Sequence, residues 1–344
     1  MSTLRDAGLV SAGPDGETPE RADLEARLVK GLDDVEELLR ASVASRYPFI
    51  TEVARHLVDA GGKRVRPLVV LLAALAGGGP EPDARAVTQA AVTIELTHLS
   101  TLYHDDVIDE AVLRRGVPSV NARWGNTLAV CGGDFLFARA AGITAELGAE
   151  PTRILADTIA ELCEGEMRES VGPQSGEDPV DHHLGVLREK TGSLLGTAAR
   201  LGCLLSGGSR SAADTLARVG ELYGVAFQLS DDLIDLADDS GRSGKTPGTD
   251  LREGVATLPV LLARRAGAVP GRGDRLGELL SGPVAEADLP AALALLRAHP
   301  ALGEAREVLA SWAAEAREAL RSLPVTPARA ALDALVADVV TRTR

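Results

Sequence analysis

The feature that most limits what this chain can fold into is the spacing of its apolar residues. They recur at three- and four-residue intervals from Pro19 almost to the last residue. Leu24, Leu28, Leu32, Val35, Leu38 and Leu39 trace one such stripe, closed by Tyr47-Pro48. The pattern predicts a helix over about 49–60, punctuated by Gly61-Gly62, and another over 65–76, broken at Gly77-Gly78-Gly79-Pro80. A long helix from about Asp83 to Glu110 follows, then helices over 126–147, 151–170, 182–206, 211–238, 254–265, 286–298, 302–321 and 327–342. Alternating strand pattern of any length is absent. The expected fold is all-α, with Ala/Leu-rich helices buried on most sides at the centre and others around them. Residues 1–18 read as a flexible tail, and no Ser/Gly-rich linker divides 19–344, which reads as one domain.

Composition removes several classes of function. The three cysteines, Cys131, Cys163 and Cys203, are far apart, odd in number and form no CxxC pair. A disulfide scaffold, a zinc finger and a thioredoxin-type redox site therefore lack their residues, and the thiols suit a reducing cytoplasm. The net charge of -14 and an aromatic content of 3% supply neither the positive field nor the stacking rings that nucleic acids require. The first 23 residues contain no apolar signal-peptide core, and the longest apolar run, Leu68–Ala76, is well short of the ~20 residues of a membrane span. A soluble protein without a transmembrane segment is expected.

Two acidic triplets carry the chemistry. Asp105, Asp106 and Asp109 form DDxxD, and Asp231, Asp232 and Asp235 repeat it 126 residues later. On a helix the outer aspartates, one turn apart, share a face with Cβ atoms about 5–6 Å apart. One such triplet is ordinarily a solvated face, but both are embedded in apolar sequence, where uncompensated carboxylates are costly. Carboxylates without His or Cys neighbours favour a hard cation such as magnesium, which is commonly completed by substrate phosphates. Asp105, Asp109, Asp231 and Asp235 are the candidate ligands. The expected arrangement is two acidic walls facing each other, bridged through divalent ions by a diphosphate.

Cations suited to a diphosphate lie nearby in sequence. Lys63, Arg64 and Arg66 surround the helix start in GGKRVRP, Arg114 and Arg115 follow the first triplet, and Lys190-Thr191 and Lys245-Thr246 add two more candidates. His98 lies seven residues before Asp105, on nearly the same face, and can donate to a phosphate oxygen. His104 is expected to support the site from behind, and His182 and His183 to lie at a loop edge. Gly244-Lys245-Thr246 is no P-loop, because Gly241 and Gly244 stand too close and no strand precedes them.

Taken together, GGKRVRP at 61–67, HLSTLYHDDVIDEAVLRRG at 98–116, GDFLFARA at 133–140, KTGSL at 190–194, FQLSDDLIDL at 227–236 and GKTPGTDLREGVATLP at 244–259 resemble the motifs of the trans-type isoprenyl (polyprenyl) diphosphate synthases. The resemblance runs from about residue 25 to Arg344. It implies an all-α prenyltransferase, usually a homodimer, with a deep central cavity and magnesium as cofactor, about three ions per site. It implies that Asp105 and Asp109, with Asp106 alongside, hold metal on an allylic diphosphate, and that Asp231, Asp232 and Asp235 hold a further ion. Lys63, Arg66, His98 and Arg115 correspond to the isopentenyl diphosphate pocket, and Arg114, Lys190, Thr191, Gln228 and Lys245 to the allylic one. Two positions depart from the pattern. Tyr103 stands where an aliphatic residue is commoner, and Glu169 where many members carry Gln.

The implied reaction joins isopentenyl diphosphate head-to-tail to an allylic diphosphate. Its product length is argued from geometry. Thr101 and Thr97 lie one and two turns before Asp105, and Thr101 and Ser100 are small where short-chain members carry aromatics. A long product of about six or more isoprene units is expected, geranylgeranyl or farnesyl diphosphate being the alternatives, with the Tyr103 ring able to close the tunnel. A class I terpene cyclase and a noncatalytic partner subunit are further alternatives. The first normally lacks a second DDxxD, and the second is expected to have lost aspartates. Any membrane contact is expected to be transient, for product release.

Overall fold

The first helix begins as its sequence dictates. Thr18 Oγ1 accepts from the Arg21 amide at 3.3 Å, Pro19 occupies the first helical position and Glu20 faces the positive end of the helix dipole. The computed structural model describes residues 18–77, 79, 83–236, 247–267 and 275–343. The expected tail at 1–17 and Lys245 fall outside these residues. The helices are α1 Pro19–Ser42, α2 Pro48–Asp59, α3 Val65–Ala76, α4 Ala84–Ile108, α5 Val120–Trp124, α6 Asn126–Leu147, α7 Ala149–Val171, α8 Pro179–Leu187, α9 Ser193–Leu205, α10 Arg210–Asp235, α11 Thr249–Glu253, α12 Leu258–Ala266, α13 Arg275–Leu279, α14 Leu289–Arg297, α15 Pro300–Leu320 and α16 Pro327–Thr341. Among the described residues the only strands are β1 Leu113–Arg114 and β2 Val117–Pro118, an antiparallel hairpin. The fold class is all-α.

Two of the expected helices are divided. The helix predicted over 182–206 begins earlier, at Pro179, because Asp178 caps it by accepting from the amides of Val180 (2.8 Å) and Asp181 (3.2 Å). It then passes through a single π-turn, Arg188–Gly192, before α9. His182 and His183 are therefore helical and not at a loop edge. The helix predicted over 254–265 is α11 followed by α12, parted at Gly254, whose φ of +77° ends the first.

The chain divides into two compact units. The first comprises residues 1–161, 194–220 and 319–335, and the second 162–193, 221–318 and 336–344. In the first unit α4 is the central element, with its most extensive packing against α6 and further packing against α1 and α3. Val87, Ala90, Ala91, Val92, Ile94, Leu96, Leu99 and Tyr103 bury α4 on almost every side. α3, with nine of its twelve residues buried, is nearly as enclosed. In the second unit α8 packs on α12, which meets α14, and α13 packs beside α14. One described helix, α6, is long and apolar enough to cross a membrane by length and composition, a test that core helices of soluble proteins also pass.

Close backbone approach fixes the spacing of α9 against α3. A methyl group on Gly202 would lie 2.2 Å from the Val70 carbonyl oxygen. Gly202→Ala is therefore expected to cost about 1–3 kcal/mol through displacement of the two helices, measured as a lower urea midpoint. An unchanged midpoint would contradict this packing.

Candidate active site

The first aspartate motif closes the buried helix α4. On that helix and at its cap, His98, Thr101, Leu102, Asp105 and Asp109 share one face, and each is at least partly open to solvent, while Leu99, Ser100, Tyr103 and Asp106 between them are sealed. The open stripe ends at the fully buried Thr97 and Ile94. Asp109 caps the helix, its amide donating to the Asp105 carbonyl at 2.8 Å. Asp106 points the other way and is fully buried. Its Oδ1 accepts from Arg114 Nε at 2.7 Å and pairs with the second guanidinium nitrogen at 2.6 Å, while Oδ2 is buried without a hydrogen-bond donor. Burial raises the Asp106 carboxyl pKa against the opposing pull of Arg114. Arg114 thus ties the hairpin to α4.

The hairpin turn is Arg115-Gly116, both at positive φ (53° and 77°), as a two-residue turn requires. Arg115 is delivered by it into the loop between α2 and α3. There it donates to the carbonyls of Leu57 (3.1 Å) and Gly61 and lies 3.8 Å from Glu95. Gly62 leaves the room its guanidinium fills. Arg64, also left-handed at φ 44°, is buried and bridges Glu36 and Glu95, the latter at 2.8 Å. Glu95, only 2% exposed, is the carboxylate about which both arginines are organised. Arg64, one of the three cations expected around this helix start, is thus turned inward, and Glu95 was not singled out from the sequence. The available signal was a lone acid in the apolar stretch Val92-Thr93-Ile94-Glu95-Leu96.

This cluster sets the state of His98. Its pKa lies well below the usual imidazole range, chiefly through burial and then through the positive charges of Arg66, Arg115, Arg64 and Arg114. The ring is neutral at physiological pH and can offer one N–H to an anion. Lys63 lies exposed beside this group. His104, expected behind the site, instead turns to α6, near the Val130 carbonyl (3.3 Å), Asp134 (3.5 Å) and the Phe137 ring.

Of the residues expected to set product length, only Thr101 lies on the open stripe. Its hydroxyl bonds back to the His98 carbonyl at 2.9 Å. Thr97 is sealed, its hydroxyl on the Thr93 carbonyl. Ser100 donates to the Gly133 carbonyl of α6 at 2.7 Å and is fully buried. Tyr103 is a correction. Its ring is fully buried against Gly132 and its hydroxyl donates to the Val53 carbonyl at 2.7 Å, so it locks α4 to α2 and α6 and is not available to close a passage.

The second motif, in the other unit, sorts its three carboxylates. Asp231 is exposed on α10 and pairs with Arg342 at 3.0 Å. Asp232 is buried, with His183 Nε2 at 3.5 Å from Oδ2. Asp235 accepts from the amides of Thr249 (3.2 Å) and Asp250 (3.1 Å), so it caps α11. Lys190 and Thr191 lie in the π-turn, and Gln228 is half-buried one turn before Asp232. Lys190 pairs with Glu166 (2.7 Å) and with Glu169. Burial alone would lower the ammonium pKa, but hydrogen bonds to Glu166 and Glu169 raise it overall.

The donors are oxygens only. Among the described residues no group of three or more His, Cys, Asp or Glu converges to hold an ion unaided. Asp105 and Asp109, open on one face, make a donor set that suits a hard cation completed by phosphate oxygens and water.

Two outcomes follow from the cluster. Arg64→Met leaves Glu95 buried without its nearest cation and is expected to cost about 3 kcal/mol, part of it recovered by adding Glu95→Met. A loss under about 1 kcal/mol in chemical denaturation would contradict the network. Because the unfolded His98 titrates near ~6.5 and the folded one lower, the unfolded chain binds more protons as pH falls. His98 therefore supports stability above that pH and withdraws it below. His98→Asn should flatten the fall in melting temperature between about pH 7.5 and 5.5, and an unaltered slope would refute the assignment.

Comparison with known proteins agrees with this chemistry. Residues 47–295 match the family model described as polyprenyl synthetase. The chain is 48% identical to a nonaprenyl diphosphate synthase of Mycobacterium tuberculosis, over 91% of this chain and 92% of the relative. It is 41% identical to a dimethylallyltranstransferase of the same organism, over 90% and 94%. Among solved structures, a geranylgeranyl pyrophosphate synthase from Corynebacterium glutamicum, complexed with calcium and isoprenyl diphosphate, superposes with a TM-score of 0.84 at 39% identity, over 93% of this chain and 98% of that one. A decaprenyl diphosphate synthase from Rhodobacter capsulatus gives 0.83 at 36% identity, over 94% and 99%. The chain belongs to the polyprenyl synthetase family and is an enzyme that transfers prenyl groups in the synthesis of polyprenyl diphosphates.

Proposed function

We propose that this enzyme condenses isopentenyl diphosphate with an allylic diphosphate, repeatedly, to a product of about six or more isoprene units. One observation carries the reading. The open face of a buried helix runs from two carboxylates, past a small residue at Thr101, to a neutral histidine among arginines. Asp105 and Asp109 hold divalent ions on the allylic diphosphate, and Asp231 holds a further one, magnesium being the physiological ion. Asp106 and Asp235 position the motifs through Arg114 and the start of α11. When bound, such ions supply Lewis acidity to the leaving diphosphate. The calcium and isoprenyl diphosphate in the Corynebacterium structure support a divalent ion and an isoprenyl diphosphate as the ligands.

Within this scheme Lys63, Arg66, His98 and Arg115 bind isopentenyl diphosphate, His98 as a neutral donor. Arg114, Lys190, Thr191, Gln228 and Lys245 serve the allylic diphosphate. As the allylic C–O bond ionises, negative charge gathers on the diphosphate oxygens, where nearby cations gain strength as the bond breaks. The isopentenyl alkene attacks the allylic cation, and the proton lost passes to the departing diphosphate. Apolar walls shield the cation from water. The prenyl chain grows past Thr101. A homodimer is supported by α6, which leaves Val130, Cys131, Ala138, Ala141 and Ala145 exposed along one side. Its three free cysteines suit a reducing compartment, and the cytoplasm is the one proposed.

Incubating the protein with labelled isopentenyl diphosphate, each allylic primer and magnesium, then sizing the products, tests the reading. Asp105→Ala or omission of magnesium should lower elongation by at least about a hundredfold. A fifteen-carbon product alone, with isopentenyl diphosphate in excess, would defeat the assignment of length. Thr101→Phe should shorten the product and leave the fold intact. Ser100→Phe, forced into the α4–α6 contact, should instead destabilise by about 1–3 kcal/mol or more.

A further inference from the structure

The three carboxylates of the second motif differ in what holds them. Asp232 turns inward towards His183, and Asp235 accepts two amides at the start of α11. Asp231 is the exposed one, with 45% of its side chain accessible, and a guanidinium already sits on it. That group is Arg342, which follows the last turn of α16 and whose amide donates to the Asp338 carbonyl.

Arg342 is placed by three contacts on one face of α10. Its terminal nitrogen lies 3.0 Å from Asp231 Oδ1 and 2.9 Å from the Phe227 carbonyl oxygen, which accepts from it. Its Cζ stands 4.4 Å over the Phe227 ring. Phe227 is one turn before Asp231, so ring, carbonyl and carboxylate together form a seat for a planar cation.

We propose that Arg342 is the resident counter-cation of Asp231, and that a divalent ion must displace it to bind there. This inference rests on the reading that Asp231 is a metal ligand. A guanidinium on Oδ1 and a divalent ion on the same carboxylate repel each other and compete for its one negative charge, so metal occupancy at Asp231 and docking of the end of α16 oppose each other. By linkage each weakens the other by the same factor. Arg342 is in this sense a positioning residue. It keeps the exposed carboxylate neutralised in the metal-free enzyme and releases it as the ion arrives.

The test uses the full-length protein without substrates and Mn²⁺ alone, read by electron paramagnetic resonance and by calorimetry. Asp231→Asn should abolish one class of Mn²⁺ sites. Arg342→Gln should bind Mn²⁺ at that class about two- to fivefold more tightly, the effect of removing a half-exposed ion pair. Arg342→Lys, which keeps the charge without the planar stack, should fall between Arg342→Gln and the parent, and it remains informative if Arg342→Gln melts early. In the parent protein, Mn²⁺ should speed amide exchange over residues 339–343, and in Arg342→Gln it should not. Affinity unchanged or weakened in Arg342→Gln, with binding still dependent on Asp231, overturns the inference alone. Mn²⁺ binding indifferent to Asp231→Asn overturns the reading beneath it, and the inference with it.

Discussion

A single buried carboxylate organises the first unit. Glu95 lies on a helix enclosed by apolar side chains, where an uncompensated charge costs several kcal/mol. Arg64 and Arg115 supply the compensation, and each is carried there by backbone in the left-handed region. Bulky residues rarely adopt that conformation unless their surroundings over-determine it. Here the surroundings are the Val58, Leu57 and Gly61 carbonyls and the Glu95 carboxylate itself. The same ion network fixes the α2–α3 loop, fastens the hairpin after the first aspartate motif and surrounds His98 with positive charge. Structural anchoring and the proposed anion recognition thus share one set of arginines.

Both DDxxD motifs obey a common logic within their own units. In each, at least one carboxylate is spent on structure. Asp106 is sealed against Arg114, and Asp235 satisfies the first amides of α11. A helix that ends in three acids would repel itself in isolation. Turning one inward to a cation, as Asp106 does, or burying one and using another as a cap, as Asp232 and Asp235 do, lowers the number of acids that face outward together. Lys190 shows the converse case. Its ammonium is held between Glu166 and Glu169, so the residue in which this chain departs from the commoner Gln contributes directly to the charge of a candidate phosphate-binding lysine.

Much of the architecture was legible in the sequence because it depends on period and punctuation. The limits of α3 and α6 coincide with the spans expected from apolar spacing and flanking glycines, and α4 ends within two residues of its expected limit. The misses have particular causes. The π-turn at 188–192 keeps a helical period on both sides and so left no break in the pattern. The hairpin at 113–118 is too short to show alternation, although Arg115-Gly116 was its turn signal. Tyr103 and Thr101 are two residues apart, and one is sealed while the other faces the open stripe. The period shows that they differ in direction but not which face meets α6.

The sequence by itself determined the all-α class and the family, since a run of spaced apolar residues and several long motifs in one order admit few alternatives. Only the tertiary structure decided which member of each triplet faces outward, that Glu95 lies beneath the arginines, and that Arg342 sits on Asp231. Those facts depend on contacts between residues from eight to more than a hundred positions apart. Local pattern cannot specify such contacts, because they are chosen by the collective packing of helices whose individual faces each allow several partners.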